Sequence, residues 1–238
     1  MTNLTPLWVY ILGTPLLWMT VTVLVYVCSL RIVGVLRSNP CVNPILMSTV
    51  TLIILLKMTH TSYATYFQGA QFVHFMLGPS TLAIAVPIYR NRKLLTRLFF
   101  PILVALTGGA ITGSVSGLLI GVLFGLPRGL LIAIAPKSVT GGVAMAITAR
   151  MGGVPSITML LVVTAGIFGA IVVTPLMNIL KINDYAGRGF AVGVAAHGVG
   201  TARAYTVHPT AGLFAAVGMG LNAIASAIAI PIVLKLLL

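Results

Sequence analysis

Two cations sit inside sequence that is otherwise apolar on both sides. Lys137 belongs to Ala135-Pro136-Lys137-Ser138-Val139-Thr140-Gly141-Gly142, and Arg203 ends Ala196-His197-Gly198-Val199-Gly200-Thr201-Ala202-Arg203. A proline removes an amide donor and clashes with the preceding helical turn, and paired glycines weaken the helix beyond it. Amides freed at a new helix start carry partial positive charge. With the Lys137 ammonium, the hydroxyls of Ser138 and Thr140, and close backbone approach at Gly141 and Gly142, the first stretch reads as an anion cradle. In the second, the Arg203 guanidinium matches a carboxylate with two parallel N–H donors. His197 and Thr201 add hydrogen bonds there, and Gly198 and Gly200 let backbone approach. A third interruption, Leu77-Gly78-Pro79-Ser80, carries no charge, and Ser80 and Thr81 would line a path beside it.

Simpler roles stand beside these. Lys137 at a proline kink would snorkel to the interface, but it lies about ten residues, or ~15 Å of helix, from either end of its apolar span. His197 reads equally well as an interhelical hydrogen bond, and Arg203 as an interfacial anchor. Asn43 and Asn222 read as hydrogen-bonding glue between membrane helices. His60, His74 and His208 are scattered without metal-ligand spacing. Asp184, the single acid in the chain, reads as a loop ion pair with Lys181 and Arg188. One carboxylate cannot supply paired acid–base groups, and no nucleophile or phosphate-loop motif is present. The expectation is therefore a protein that is not an enzyme, with no cofactor and no metal, and with a small anionic solute as its ligand.

The elements that must hold these groups follow from composition. Of 238 residues, 59% are hydrophobic and 6% charged, against about 25% charged in a soluble domain, and the mean hydropathy is +1.13. This is the composition of an integral membrane protein whose first partner is the lipid bilayer. The net charge of +13 is dispersed through apolar sequence and makes no basic face for nucleic acid. Cys28 and Cys41 read as apolar packing residues. The N-terminus lacks the basic region of a cleavable signal, so its first apolar run reads as a retained span.

Apolar segments at about 7–28, 43–58, 72–89, 98–124, 127–149, 156–180, 189–206 and 210–238 predict an all-α polytopic membrane protein. It would have about eight helical segments, discontinuous (broken or re-entrant) helices, and one transmembrane domain over 1–238. Asn43-Pro44 reads as a helix start. Irregular backbone at membrane depth survives only where protein buries it or a watery cavity receives it, and an ionisable residue there is a functional-site hypothesis. Pro79 to Pro136 is 57 residues and Pro136 to His197 is 61. Each interruption is followed by a glycine-rich helix, which suggests internal repeats. If every segment crosses, Arg31, Arg37, Arg90, Arg92, Lys93, Arg97 and Arg150 fall on the cytoplasmic side. Arg128, Lys181 and Arg188 then fall outside, as do both termini; a re-entrant segment would change that parity.

Several motifs together resemble the LrgB/CidB family of membrane proteins. They are Asn43-Pro44-Ile45-Leu46, the run from Leu77 to Tyr89, Pro136-Lys137-Ser138-Val139-Thr140, Gly152-Gly153-Val154-Pro155-Ser156, and the run from Arg188 to Arg203. The resemblance covers the chain from about residue 30 onward. It implies an antiholin-like modulator of murein hydrolase activity and cell lysis, paired with a small LrgA/CidA-type membrane partner. Some such pairs are implicated in pyruvate uptake, and the plastidial glycolate/glycerate translocator carries an LrgB-like part. The resemblance thus implies small monocarboxylates as solutes. The sequence reads first as a transporter that binds the anion at the broken-helix motifs, with an antiholin-like regulator that transports nothing itself as the alternative. The resemblance also implies the bacterial plasma membrane as location, ahead of the plastid envelope, and leaves a homo-oligomer open. The chain departs from the family pattern in having Gly141-Gly142 where Thr-Pro is usual and Ala196 where Ser is usual. No acid follows Arg203 within Thr206-Val207-His208-Pro209-Thr210-Ala211-Gly212, where His208 is the one titratable side chain.

Overall fold

A computed structural model describes residues 14–35, 44–76, 79, 82–83 and 85–237. Asn43, Cys41, Leu77, Gly78, Ser80 and Thr81 lie outside the described residues. The described chain is all-α, as lipid demands: inside a bilayer only a helix satisfies every backbone N–H and C=O within one segment. Contacts divide it into two compact units, Met1–Ala83 and Ile84–Leu238.

The first unit holds α1 (Pro15–Val35), α2 (Pro44–Met58) and α3 (Tyr63–Phe75). Pro44 begins α2 as the sequence predicts. Trp18 is the buried anchor of α1, with its ring edge-on to Tyr66 of α3 at 5.9 Å. Gly69 brings α3 against the α1 backbone, since a Cβ there would lie 2.2 Å from the Pro15 carbonyl oxygen.

The second unit holds α4 (Ala85–Arg90), α5 (Arg92–Arg97), α6 (Phe99–Leu123), α7 (Arg128–Ile134) and α8 (Gly141–Arg150). It continues with α9 (Pro155–Ile179), α10 (Tyr185–Val207) and α11 (Pro209–Leu237). Among the described residues, the helices long and apolar enough to cross a membrane are α1, α6, α9 and α11. The segments between α6 and α9, and between α9 and α11, turn back instead. Within α10 the backbone leaves helical geometry at Ala196 (φ −126°, ψ 15°) and His197 (φ 41°, ψ −133°). Its two ends then meet: the Tyr185 and His208 rings stack at 4.2 Å. Ile132 of α7 and Thr148 of α8 likewise both meet a Cβ placed on Gly153, at 2.7 Å each, so the chain reverses across 135–140.

Each reversal is a helical hairpin that enters and leaves at one end of the unit. The first, 128–150, starts beside the C-terminus of α6; the second, 185–207, starts beside the C-terminus of α9. Because α9 runs back across the unit, the two hairpins enter from opposite ends and their tips meet in the middle. This corrects the parity expected if every segment crossed. Lys181 and Arg188 share the end that carries Arg90, Arg92, Lys93 and Arg97, while Arg150 joins Arg128 at the other. The positive-inside rule predicts the first, Arg-rich end on the cytoplasmic side.

The arrangement is an inverted repeat. α6 and α9 have 25 residues each, and each leads into a hairpin of equal length. The register pairs Gly109 with Gly166 and Gly141 with Gly198, both 57 positions apart. His197 therefore answers Thr140, not Pro136 as the 61-residue interval suggested.

Candidate functional site at the hairpin tips

The first tip is received by a ladder of glycines on α6. Residues four apart share a helix face, and Gly109, Gly113, Gly117 and Gly121 face Val194, Ser138, Lys137 and Leu131 in turn. A Cβ on Gly117 would lie 2.7 Å from the Lys137 Nζ, and one on Gly113 would lie 3.3 Å from the Ser138 Oγ. The Lys137 ammonium uses this room to donate a hydrogen bond to the Gly113 carbonyl. No side-chain carboxylate accompanies it. Asp184 stands at the start of α10, about 16 Å of helix from the second tip, where its Oδ2 accepts from the Gly187 amide at 2.7 Å.

At the second tip His197 is buried, and its Nε2 lies 2.9 Å from the Val162 carbonyl oxygen on α9. Gly166 opens the space for the imidazole, since a Cβ there would come within 2.6 Å of Cε1. Thr201 donates to the His197 carbonyl at 2.7 Å and closes the first turn of the second arm. A non-glycine residue at positive φ costs on the order of 1–3 kcal/mol and persists only where the surroundings hold it. Gly166→Ala should lower stability by about 1–3 kcal/mol through overpacking. That cost should shrink in a His197→Gly background, where positive φ is free and the ring is gone, leaving only the approach to Val199 Cγ2 at 3.0 Å. Thermal unfolding of the four proteins in detergent measures the coupling; additive effects would show that His197 and Gly166 do not hold the tip together.

One residue joins the two tips. Asn222 of α11, 2% exposed, donates through Nδ2 to the Ser138 carbonyl on the first hairpin and to the Val194 carbonyl on the second, both at 3.1 Å. Its Oδ1 accepts from Ser226 Oγ at 3.2 Å. Glue between helices was legible at Asn222, but that it bridges opposed hairpins was not: the two carbonyls are 56 residues apart in sequence.

A cavity of 530 Å³ runs from the Arg-rich end to this junction, between α6 and the first arm of the second hairpin. Asp184 and Leu98 stand at its mouth, with Ile102, Phe190 and Phe214 along its walls and Thr112, Gly113 and Ser138 at its floor. Of the residues proposed from sequence, Ser138 lines this floor, and Lys137 lies beyond it, its ammonium on the Gly113 carbonyl and against Gly117. His197 and Thr201 face α9 and α11 beside it, with Gly200 buried and Gly198 exposed. Thr140 is the residue before α8, and Gly141 and Gly142 are its first turn. Arg203 is set apart. It lies on the second arm toward the Arg-rich end, in a small cavity of 30 Å³ shared with Arg188 and Thr174. Its Nε is buried without a partner. Arg188 donates to Asn178 Oδ1 at 2.8 Å and to the Ile182 carbonyl. In place of the expected ion pair, Asp184 caps α10 through the Gly187 amide and Arg188 hydrogen-bonds to amide oxygens.

The family model described as LrgB-like matches residues 22–236. YxaC of Bacillus subtilis is 35% identical over 83% of this chain and 86% of its own. The holin-like protein CidB of Staphylococcus epidermidis is 28% identical over 92% of this chain and 96% of its own. The CidB of Staphylococcus aureus is 27% identical over 93% and 96%. No solved structure matches.

Proposed function

Because the chain belongs to the LrgB-like family, we propose that it is a holin-like protein of the bacterial plasma membrane. In this reading it modulates murein hydrolase activity and lysis through a small LrgA/CidA-type partner and catalyses no reaction of its own. The observation that carries this reading is the name holin-like protein CidB on relatives aligned along 92 and 93% of the chain. Deleting the chain from its host should change the rate of induced lysis and the murein hydrolase activity of cell extracts. Unchanged values for both, with the partner present, would sink it.

A second reading, carriage of small monocarboxylates such as pyruvate, glycolate or glycerate, is favoured by the geometry. An ammonium without a side-chain carboxylate is held by the Gly113 carbonyl, next to the floor of a cavity where two opposed hairpins meet. Carriers built from inverted repeats place their sites at such a junction. The relatives' names speak more directly for the first reading. Uptake of labelled pyruvate, glycolate and glycerate into proteoliposomes separates the two. Carriage predicts saturable flux that falls at least tenfold in Lys137→Met, about the 1.4 kcal/mol of one charge-assisted contact. The absence of saturable flux, with and without the partner, removes this second reading.

A further inference from the structure

The cavity between α6 and the second hairpin is nearly all apolar. Its walls are Leu98, Ile102, Phe190, Val194 and Phe214, and its length follows the first arm for about 16 Å. Apart from Asp184 at the mouth, polar side chains gather at the floor, where Ser138 and Thr112 lie beside Gly113, whose carbonyl holds the Lys137 ammonium. A glycolate or glycerate would satisfy that floor and leave the walls without a partner. A cavity of 530 Å³ falls in the range of pockets that enclose small organic molecules, with apolar walls giving affinity and a few polar groups giving orientation.

We propose that this cavity binds a carboxylate bearing an apolar tail, with the head at Ser138 and Lys137 and the tail along the wall of Phe190 and Phe214. The proposal rests on the carrier reading for its ligand class and extends it to specificity. The head draws the Lys137 ammonium, which lies just beyond the cavity floor, away from the Gly113 carbonyl. The tail displaces water from a wall that offers it no hydrogen bond. Asp184 at the mouth disfavours a second negative charge on the same ligand.

The test is equilibrium dialysis of labelled octanoate against the full chain in nanodiscs, with empty nanodiscs subtracted. Unlabelled acetate, butanoate, hexanoate, octanol and glycerate serve as competitors. Each added methylene should strengthen competition about fourfold until the tail fills the cavity. Octanol should compete at least tenfold more weakly than octanoate, and Lys137→Met should erase that difference. Ala191→Phe and, from the opposite wall, Ala105→Phe should each weaken octanoate at least tenfold; two independent variants guard against a failure of one to fold. Competition independent of tail length, glycerate equal to octanoate, both filled variants binding like wild type, or no saturable octanoate above empty nanodiscs (as when a bilayer acyl chain is the occupant) would each overturn it. Octanoate binding without flux in proteoliposomes would sink carriage and leave the site. Flux of short polar acids without a gain from tail length would sink the site and leave carriage.

Discussion

Gly193→Val should prevent the second hairpin from seating and cost more than about 3 kcal/mol, beyond the usual range for overpacking. The reason is a contact between two backbones. A Cβ on Gly193 would lie 2.1 Å from the Ala215 carbonyl oxygen, and one on Gly189 would lie 2.1 Å from that of Ala211. Neither main chain has a rotamer to yield, and both helices are fixed by further neighbours, with Ala215 fully buried. In lipid, where apolar attraction between helices is lost, close backbone approach at small residues is a principal source of association. The thermal midpoint of the purified protein should fall by about 10 °C, with much of the protein eluting as aggregate. Gly108→Ala is the control, because nothing lies within 4 Å of a Cβ there. A midpoint for Gly193→Val within about 2 °C of that control would refute the packing argument.

Asn222→Leu should uncouple the two tips. Three hydrogen bonds converge on this side chain, two of them to carbonyls of opposed hairpins. Hydrogen bonds between membrane helices contribute about 0.6 kcal/mol on average and up to about 1.7 kcal/mol, so the loss should total about 2–4 kcal/mol. Asn222→Asp keeps the shape but swaps the donor for oxygens that face two carbonyls, and it should be the worse of the two at neutral pH. Thermal unfolding gives the stability. Cysteine labelling at Ala195, which is exposed beside the tip, reports on the junction: both variants should label faster than wild type. Wild-type labelling together with an unchanged midpoint would show that α11 does not tie the tips together.

Much of this was legible in the residues. Long continuous apolar runs demanded membrane helices, because only a helix satisfies its backbone polar groups within one segment, and a closed barrel would show alternating hydrophobicity instead. Pro136 and the glycines after it mark where α7 stops and α8 starts, since each acts on the backbone within one turn. The motif from Arg188 to Arg203 pointed to the family that the comparison shows. What was not legible depends on distant partners. Lys137 reads as a free cation, yet Gly113 and Gly117 on another helix decide where its ammonium goes. Arg203 reads as a companion of Lys137, yet it turns toward the Arg-rich end. A spacing of residues along one chain does not say which way the chain heads after a break.

That last choice divides what the sequence determined from what the tertiary structure decided. By itself the sequence determined an all-α membrane protein, the places where helices stop, and the types of group held there, because composition and local backbone sterics act over a few residues. Only the tertiary structure decided that the chain doubles back at 135–140 and at His197, that the two reversals enter from opposite ends, and that Asn222 bridges them. The physical reason is that a reversal at His197 requires a strained positive φ, which a short peptide would relax. It is held by space at Gly166, a bond to Val162 and the close passage of α11, all supplied by residues remote in sequence.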